Sequence, residues 1–319
     1  MKKILIAAAL TFAAAAAFAK TDALSLIPND AVTVGVVHLN HIRSSPLAAT
    51  LFENTDHVSA NGEADRFLTE AGLDPKKDID VVVVATAART SLGHDADVVV
   101  LADGRFNVER LTNALISRGA TRKSSANGNY LLLPESESRN AIAFPDPHLV
   151  IMGNESAVTQ ALATRAAGGS SFATTGLLGA NLSRLDPNAT AWALVDITRA
   201  SRLGGAPHLP RGGDVTHEAL ASAVRNVSTV GLWATDTGDS LKLGGFGLSN
   251  DTETLQLLED TVRGALSAMR LAVKDSQPDL VSVLRRFDVE RTGDSIKISG
   301  TIPGDALKKM VAKHQAELK

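Results

Sequence analysis

Two kinds of apolar pattern alternate along this chain. Short runs rich in Val, Ile and Ala, bounded by Pro-Asn, Gly or Asp turns, predict strands at residues 32–39, 80–86, 98–101 and 148–153. Further runs predict strands at 190–197, 229–235, 243–248 and 295–300. Longer stretches carry apolar residues every three or four positions and predict helices near 108, at 156–166, from 252 and at 304–315. The helix from 252 has the clearest stripe: Leu255, Leu258, Val262, Leu266, Met269 and Val273. Asp251 or Thr252 caps its start, Glu253, Glu259 and Asp260 lie near its positive end, and Arg270 and Lys274 lie near its negative end. Its polar face is mixed in charge, so the stripe is expected to pack on the protein's own sheet, not on lipid.

The order strand, helix, strand, strand, helix, strand, helix occurs twice. Ile27-Pro28-Asn29-Asp30-Ala31 leads into the first strand, and Asp186-Pro187-Asn188-Ala189 leads into its later counterpart. The apolar run at 80–86 is echoed at 229–235, and the run at 148–153 is echoed at 295–300. This concerted order predicts two tandem similar halves, residues 20–170 and 171–319. Asp236-Thr237-Gly238-Asp239 and Thr292-Gly293-Asp294 are hairpin signals, and strands joined so closely run antiparallel. The expected class is α+β, each half a mainly antiparallel sheet with helices packed on one face. Residues 80–85 are nearly all apolar, as in a central strand covered on both sides. Residues 124–129 and 59–62 have ordinary turn compositions, and the Gly- and Pro-rich stretch 204–213 reads as a disordered loop.

The first residues add an address. Lys2 and Lys3 precede an apolar run over 4–18, and Ala17-Phe18-Ala19 offers small residues where a signal peptidase reads. The run is shorter than the roughly 20 residues needed to span a bilayer. A cleaved secretory signal over 1–19 is therefore expected, with the mature chain periplasmic or secreted and free of membrane spans. The chain has no cysteine, which excludes disulfides, thiol nucleophiles and thiolate metal sites. Losing Lys2 and Lys3 takes the formal charge from −3 to −5. That balance without a basic cluster, and aromatics at 4%, speaks against nucleic acid as a partner.

No nucleophile elbow, phosphate-binding Gly-rich loop or His-Glu-x-x-His pair occurs. Gly93-His94-Asp95-Ala96-Asp97 brings an imidazole and two carboxylates into a hairpin turn, yet so few donors rarely close a coordination sphere. His38 and His41 converge if a helical turn begins there and diverge if His38 ends a strand. Their counterparts in the second half are Asp196 and Arg199, which are no ligand pair. Glu135, Glu137 and Arg139 read as a solvated charged run. His57, His148, His208, His217 and His314 have no sequence neighbour that fixes a role. No catalytic or metal-binding residue and no cofactor is nominated, and the ligand-binding residues are left open.

One resemblance is visible. Leu26-Ile27-Pro28-Asn29-Asp30-Ala31, the apolar strand that follows it and Ser45-Pro46-Leu47 are similar to the openings of a loose group of exported bacterial proteins described only as domains of unknown function. The resemblance implies the architecture and carries no catalytic residue. The expected function is a non-enzymatic binding or scaffold protein with an unknown protein or small-molecule partner. The alternatives are a small-molecule or lipid carrier with a pocket between the halves, or a hydrolase assembled only in the fold with His38 or His94 as base.

Overall fold

The computed structural model describes residues 23–43, 45, 63–88, 96–134, 139–170, 172–202, 227–275 and 277–317. The expected signal segment, residues 204–213 and residues 59–62 lie outside them. The twelve described strands are β1 (Ala31–His38), β2 (Ile79–Ala88), β3 (Ala96–Gly104), β4 (Thr121–Ser125), β5 (Gly128–Leu132) and β6 (Asn140–Asp146). They continue with β7 (Leu149–Asn154), β8 (Ala191–Asp196), β9 (Thr229–Asp236), β10 (Ser240–Leu248), β11 (Asp288–Thr292) and β12 (Ser295–Pro303). The helices before β8 are α1 (Leu39–Arg43), α2 (Glu63–Ala71), α3 (Pro75–Asp78), α4 (Val108–Ser117), α5 (Glu155–Ala166) and α6 (Phe172–Thr175). Those after it are α7 (Ile197–Arg202), α8 (Thr252–Val273), α9 (Pro278–Leu284) and α10 (Gly304–Glu317).

All twelve strands belong to one antiparallel sheet in the order β11-β12-β10-β9-β8-β1-β2-β3-β7-β6-β5-β4. A sheet in each half was expected, but β1 pairs with β8 and makes the sheet continuous. Along this seam Val34 faces Leu194 and Val36 faces Trp192. The join has a physical cause: β1 and β8 each begin their run of strands, and pairing them leaves neither with an open backbone edge. Both expected hairpins form, with Gly238 and Gly293 at left-handed φ in the turns. The β4–β5 hairpin was not expected, because residues 124–129 read only as a turn. The turn itself is Ala126-Asn127, and Ser124 and Ser125 still belong to the strand.

Side chains alternate between the two faces of a strand, so adjacent transverse rows show the two sides of the sheet. One row runs through Val99, Ala85, Val34, Leu194, Gly231 and Phe246, each the register partner of the next. Its side chains lie in a core completed by Leu26, Ile27, α5 and α6. The row one residue along runs through Met152, Val100, Val84, Gly35, Ala193 and Leu232 on the opposite face. That second face is covered at its two ends. Leu111 and Ala114 of α4 pack there on Ile142 and Val150, and Leu255, Leu258 and Leu266 of α8 pack with Val289 and Ile296. In the middle Leu232 stays 54% exposed, and Val84 and Met152 stay 39% exposed.

Helices therefore pack on both faces and not on one. The reason lies in runs such as Leu149–Ile151, in which both alternating sets are apolar and buried, whereas residues 80–85, expected to be covered on both sides, leave Val84 exposed because no described helix reaches the middle of the second face. The stripe of α8 packs on the sheet as expected, except that Met269 is exposed. The strands of the second half also contain glycines that receive aromatic rings. A Cβ on Gly231 would meet the Phe246 ring, and one on Gly244 would meet Trp233, each pair being register partners.

Candidate functional site

A cavity of about 760 Å³ opens between α5, the ends of β2 and β3, and the segment that enters β1. Its floor is apolar and small: Ala85, Val99, Ala157 and Ala161. Positions 157, 160, 161 and 164 recur at helical spacing, so one stripe of α5 faces the cavity with Ala157, Gln160, Ala161 and Thr164. Val158 and Leu162 turn to the core and fix the roll of the helix.

Several contacts hold the walls. At the start of α5, Glu155 accepts from the Tyr130 hydroxyl at 2.6 Å and from Arg139 at 2.8 Å. Near its end Arg165 binds Asp146 at 2.7 Å. Asn154 does not cap the helix, because its Oδ1 accepts the Val98 N–H at 2.8 Å and ties α5 to β3. Past the helix the Ser170 N–H donates to the Ser25 carbonyl at 2.6 Å and closes one end. The opposite rim is braced from across the seam. Arg199 donates to the Asp30 carbonyl at 2.9 Å and the Ala31 carbonyl at 2.7 Å, while its Nε binds Asp196 at 2.6 Å.

The polar lining is of one electrostatic kind. Asn29, Asp30, Asp97, Ser156, Gln160, Thr164 and Ser170 contribute carboxylates, amides and hydroxyls, and no Lys, Arg or His is among the described lining residues. The Ser156 hydroxyl donates to Asp97 Oδ1 at 2.7 Å. No imidazole is among the described lining residues to act as base toward the Ser156 hydroxyl. The arrangement is suited to holding a hydrogen-bond donor or a positive charge over a small apolar floor.

No protein-family profile and no curated protein matches the chain. Solved structures do. Crystal form III of a protein designated TP0453 aligns over 91% of this chain and 97% of its own, with 14% identity and a TM-score of 0.51. Crystal form I of the same protein covers the same shares at 12% identity and a TM-score of 0.49. The likeness is one of fold.

Of the residues weighed in the sequence, Asp97 reaches the cavity, while His94 and Asp95 lie outside the described residues, as do Glu135, Glu137, His57, His208 and His217. His38 does end β1, yet His38 and His41 converge and do not diverge as expected of a strand residue, because the chain turns into α1 at Leu39; their rings stack with centroids 5.2 Å apart. Neither lines the cavity. Among the described residues no group of three potential ligands is placed to hold a metal ion. His148 Nδ1 lies 3.0 Å from the Gly104 carbonyl in the β6–β7 turn, and His314 falls on α10. Arg139 stays largely in solvent, as expected, while it pairs with Glu155. The cavity residues on α5 were missed as a site. Their one sequence signal was the density of Ala and Thr on a single helix face, which reads equally as close packing.

Proposed function

We propose that the protein is an exported, non-enzymatic binding protein and that the cavity beside α5 is its ligand site. The supporting observation is the cavity itself. Its volume of about 760 Å³ falls in the range of small-molecule sites, and its apolar floor carries a few convergent polar groups. The lining chemistry favours a compact ligand that donates hydrogen bonds or carries positive charge, because among the described lining residues the charged side chains are Asp30 and Asp97. The site lies within residues 26–170, so binding does not require a pocket between the halves.

The same proposal takes residues 20–170 and 171–319 as copies of one unit. It is supported by the strand order outward from the seam: β1, β2, β3, β7, β6 on one side and β8, β9, β10, β12, β11 on the other. A short helix follows the first strand of each series, and a longer one follows the third. On this reading the stacked His38 and His41 correspond to the ion-paired Asp196 and Arg199.

Native mass spectrometry of the chain purified from its own host tests the site. The expected result is a reproducible added mass on the wild type that is lost in Ala157→Phe, which fills the cavity, while the melting temperature is retained. A bare wild-type chain, or an adduct that survives Ala157→Phe, would overturn the assignment.

A further inference from the structure

The two ends of the sheet differ. At one end the outer edge of β11 is capped at one residue. A two-residue turn joins β11 to β12, so Thr292 and Glu290 spend their backbone groups on β12, and Val289 and Arg291 turn theirs outward. Both groups of Val289 are taken by side chains: the Val289 N–H donates to Asp288 Oδ1 at 2.9 Å, and its carbonyl accepts from Arg263 at 2.5 Å. At the other end no described strand pairs with the outer edge of β4. The Ala126-Asn127 turn pairs Ser125 with Gly128 and Lys123 with Tyr130, which leaves the N–H and C=O of Arg122 and Ser124 facing away from the sheet. Among the described residues no side chain caps them, and Thr121 to Ser124 are exposed.

The charge on this open edge is of one sign. Arg122 and Lys123 are neighbours, so one stands on each face of the sheet. Neither pairs with a described carboxylate, and β4 and β5 contain no Asp or Glu. A second copy is a poor occupant. Two β4 strands side by side would set Arg122 and Lys123 against their own counterparts, and like charges across a strand pair are destabilising. The β11 edge of a second copy is obstructed at Val289 by Arg263 and Asp288, and Arg291 on that edge repeats the positive charge of β4. Positive side chains guard an open edge against self-pairing, and the same charges attract a strand of opposite sign.

We propose that the edge of β4 accepts an acidic, extended segment of another protein as a thirteenth strand of the sheet. The Arg122 and Ser124 backbone groups would supply the ladder hydrogen bonds, and Arg122 and Lys123 would select carboxylates on both faces of the incoming strand. No β4 residue lines the cavity beside α5, so occupation of one does not require the other.

Fluorescence anisotropy with labelled peptides tests this. The probe is a short Thr- and Val-rich peptide with a central Glu-Glu pair. Its controls are a Lys-Lys counterpart and the Glu-Glu peptide N-methylated at alternate residues. Saturable binding of the first peptide alone is expected, weakened at least about tenfold by the double substitution Arg122→Glu and Lys123→Glu. No binding of the Glu-Glu peptide would overturn the proposal. Equal binding of the N-methylated peptide would also overturn it, since attraction would then act without strand addition. The N-methylated control leaves the protein unaltered, so its result does not depend on a variant that folds.

Discussion

Tyr130 is the chain's one tyrosine and stands on β5 with its hydroxyl on Glu155. The hydrogen bond to that carboxylate raises the phenol above its ordinary value of 10.0, with burial and the negative charge of Glu155 adding to the rise and Arg139 opposing it. The folded state therefore favours the protonated phenol. The contribution of this bond to stability is complete below about pH 10 and is lost as pH rises through the higher folded value. Because no second tyrosine is present, a phenolate absorbance titration reads this residue alone. The midpoint is expected above 10 and should move down toward it in Glu155→Gln, which keeps an acceptor and removes the charge. An unchanged midpoint in that variant would show that Glu155 is not the cause. The same pair fixes the start of α5, so this titration also reports on one wall of the cavity.

The helix α8 shows how an element uses its ends. Asp251 accepts the N–H groups of Glu253 and Thr254 and the Thr254 hydroxyl, the last at 2.6 Å. These bonds, led by the hydroxyl, hold the Asp251 carboxyl below the ordinary carboxylate range. A lowered carboxyl stabilises the fold above about pH 4 and loses that contribution as pH falls through its folded value. Asp251→Ala is expected to lower the melting temperature at neutral pH, with the gap to wild type closing as pH drops below about 4. A gap that stays constant with pH would mean that the charge of the cap contributes nothing. The cap and the stripe of α8 were legible because both are local, recurring within a turn or two. The exposure of Met269 was not, since it depends on where the sheet beneath the helix ends.

For the whole molecule, the seam between β1 and β8 is decisive. It buries Val34 and Leu194 against each other in the core that runs from α5 to Phe246. A continuous core predicts that the chain unfolds as one unit. The aromatic residues report on each side of the seam, with Tyr130 on one side, Trp233 on the other and Trp192 on the seam itself. Their denaturation curves are expected to coincide. Leu194→Ala should shift both by the same amount, about 3 kcal/mol for a fully buried leucine. Separate transitions would show that residues on the two sides of the seam hold their structure independently.

The sequence by itself determined the positions of most strands, the long helices, the hairpins at Gly238 and Gly293, and the antiparallel α+β class. Each of these rests on periodicity or turn chemistry within a few residues. It gave only a turn where β4 and β5 stand, because Thr121 to Ser125 is a polar edge strand with no buried face to mark it. Tertiary structure alone decided that the strands form one sheet, that helices cover both of its faces, and that Asp97 meets Ser156 across 59 residues. Those outcomes depend on which strand edges meet and which apolar faces find a cover, and such pairings between distant segments leave no local pattern in the chain.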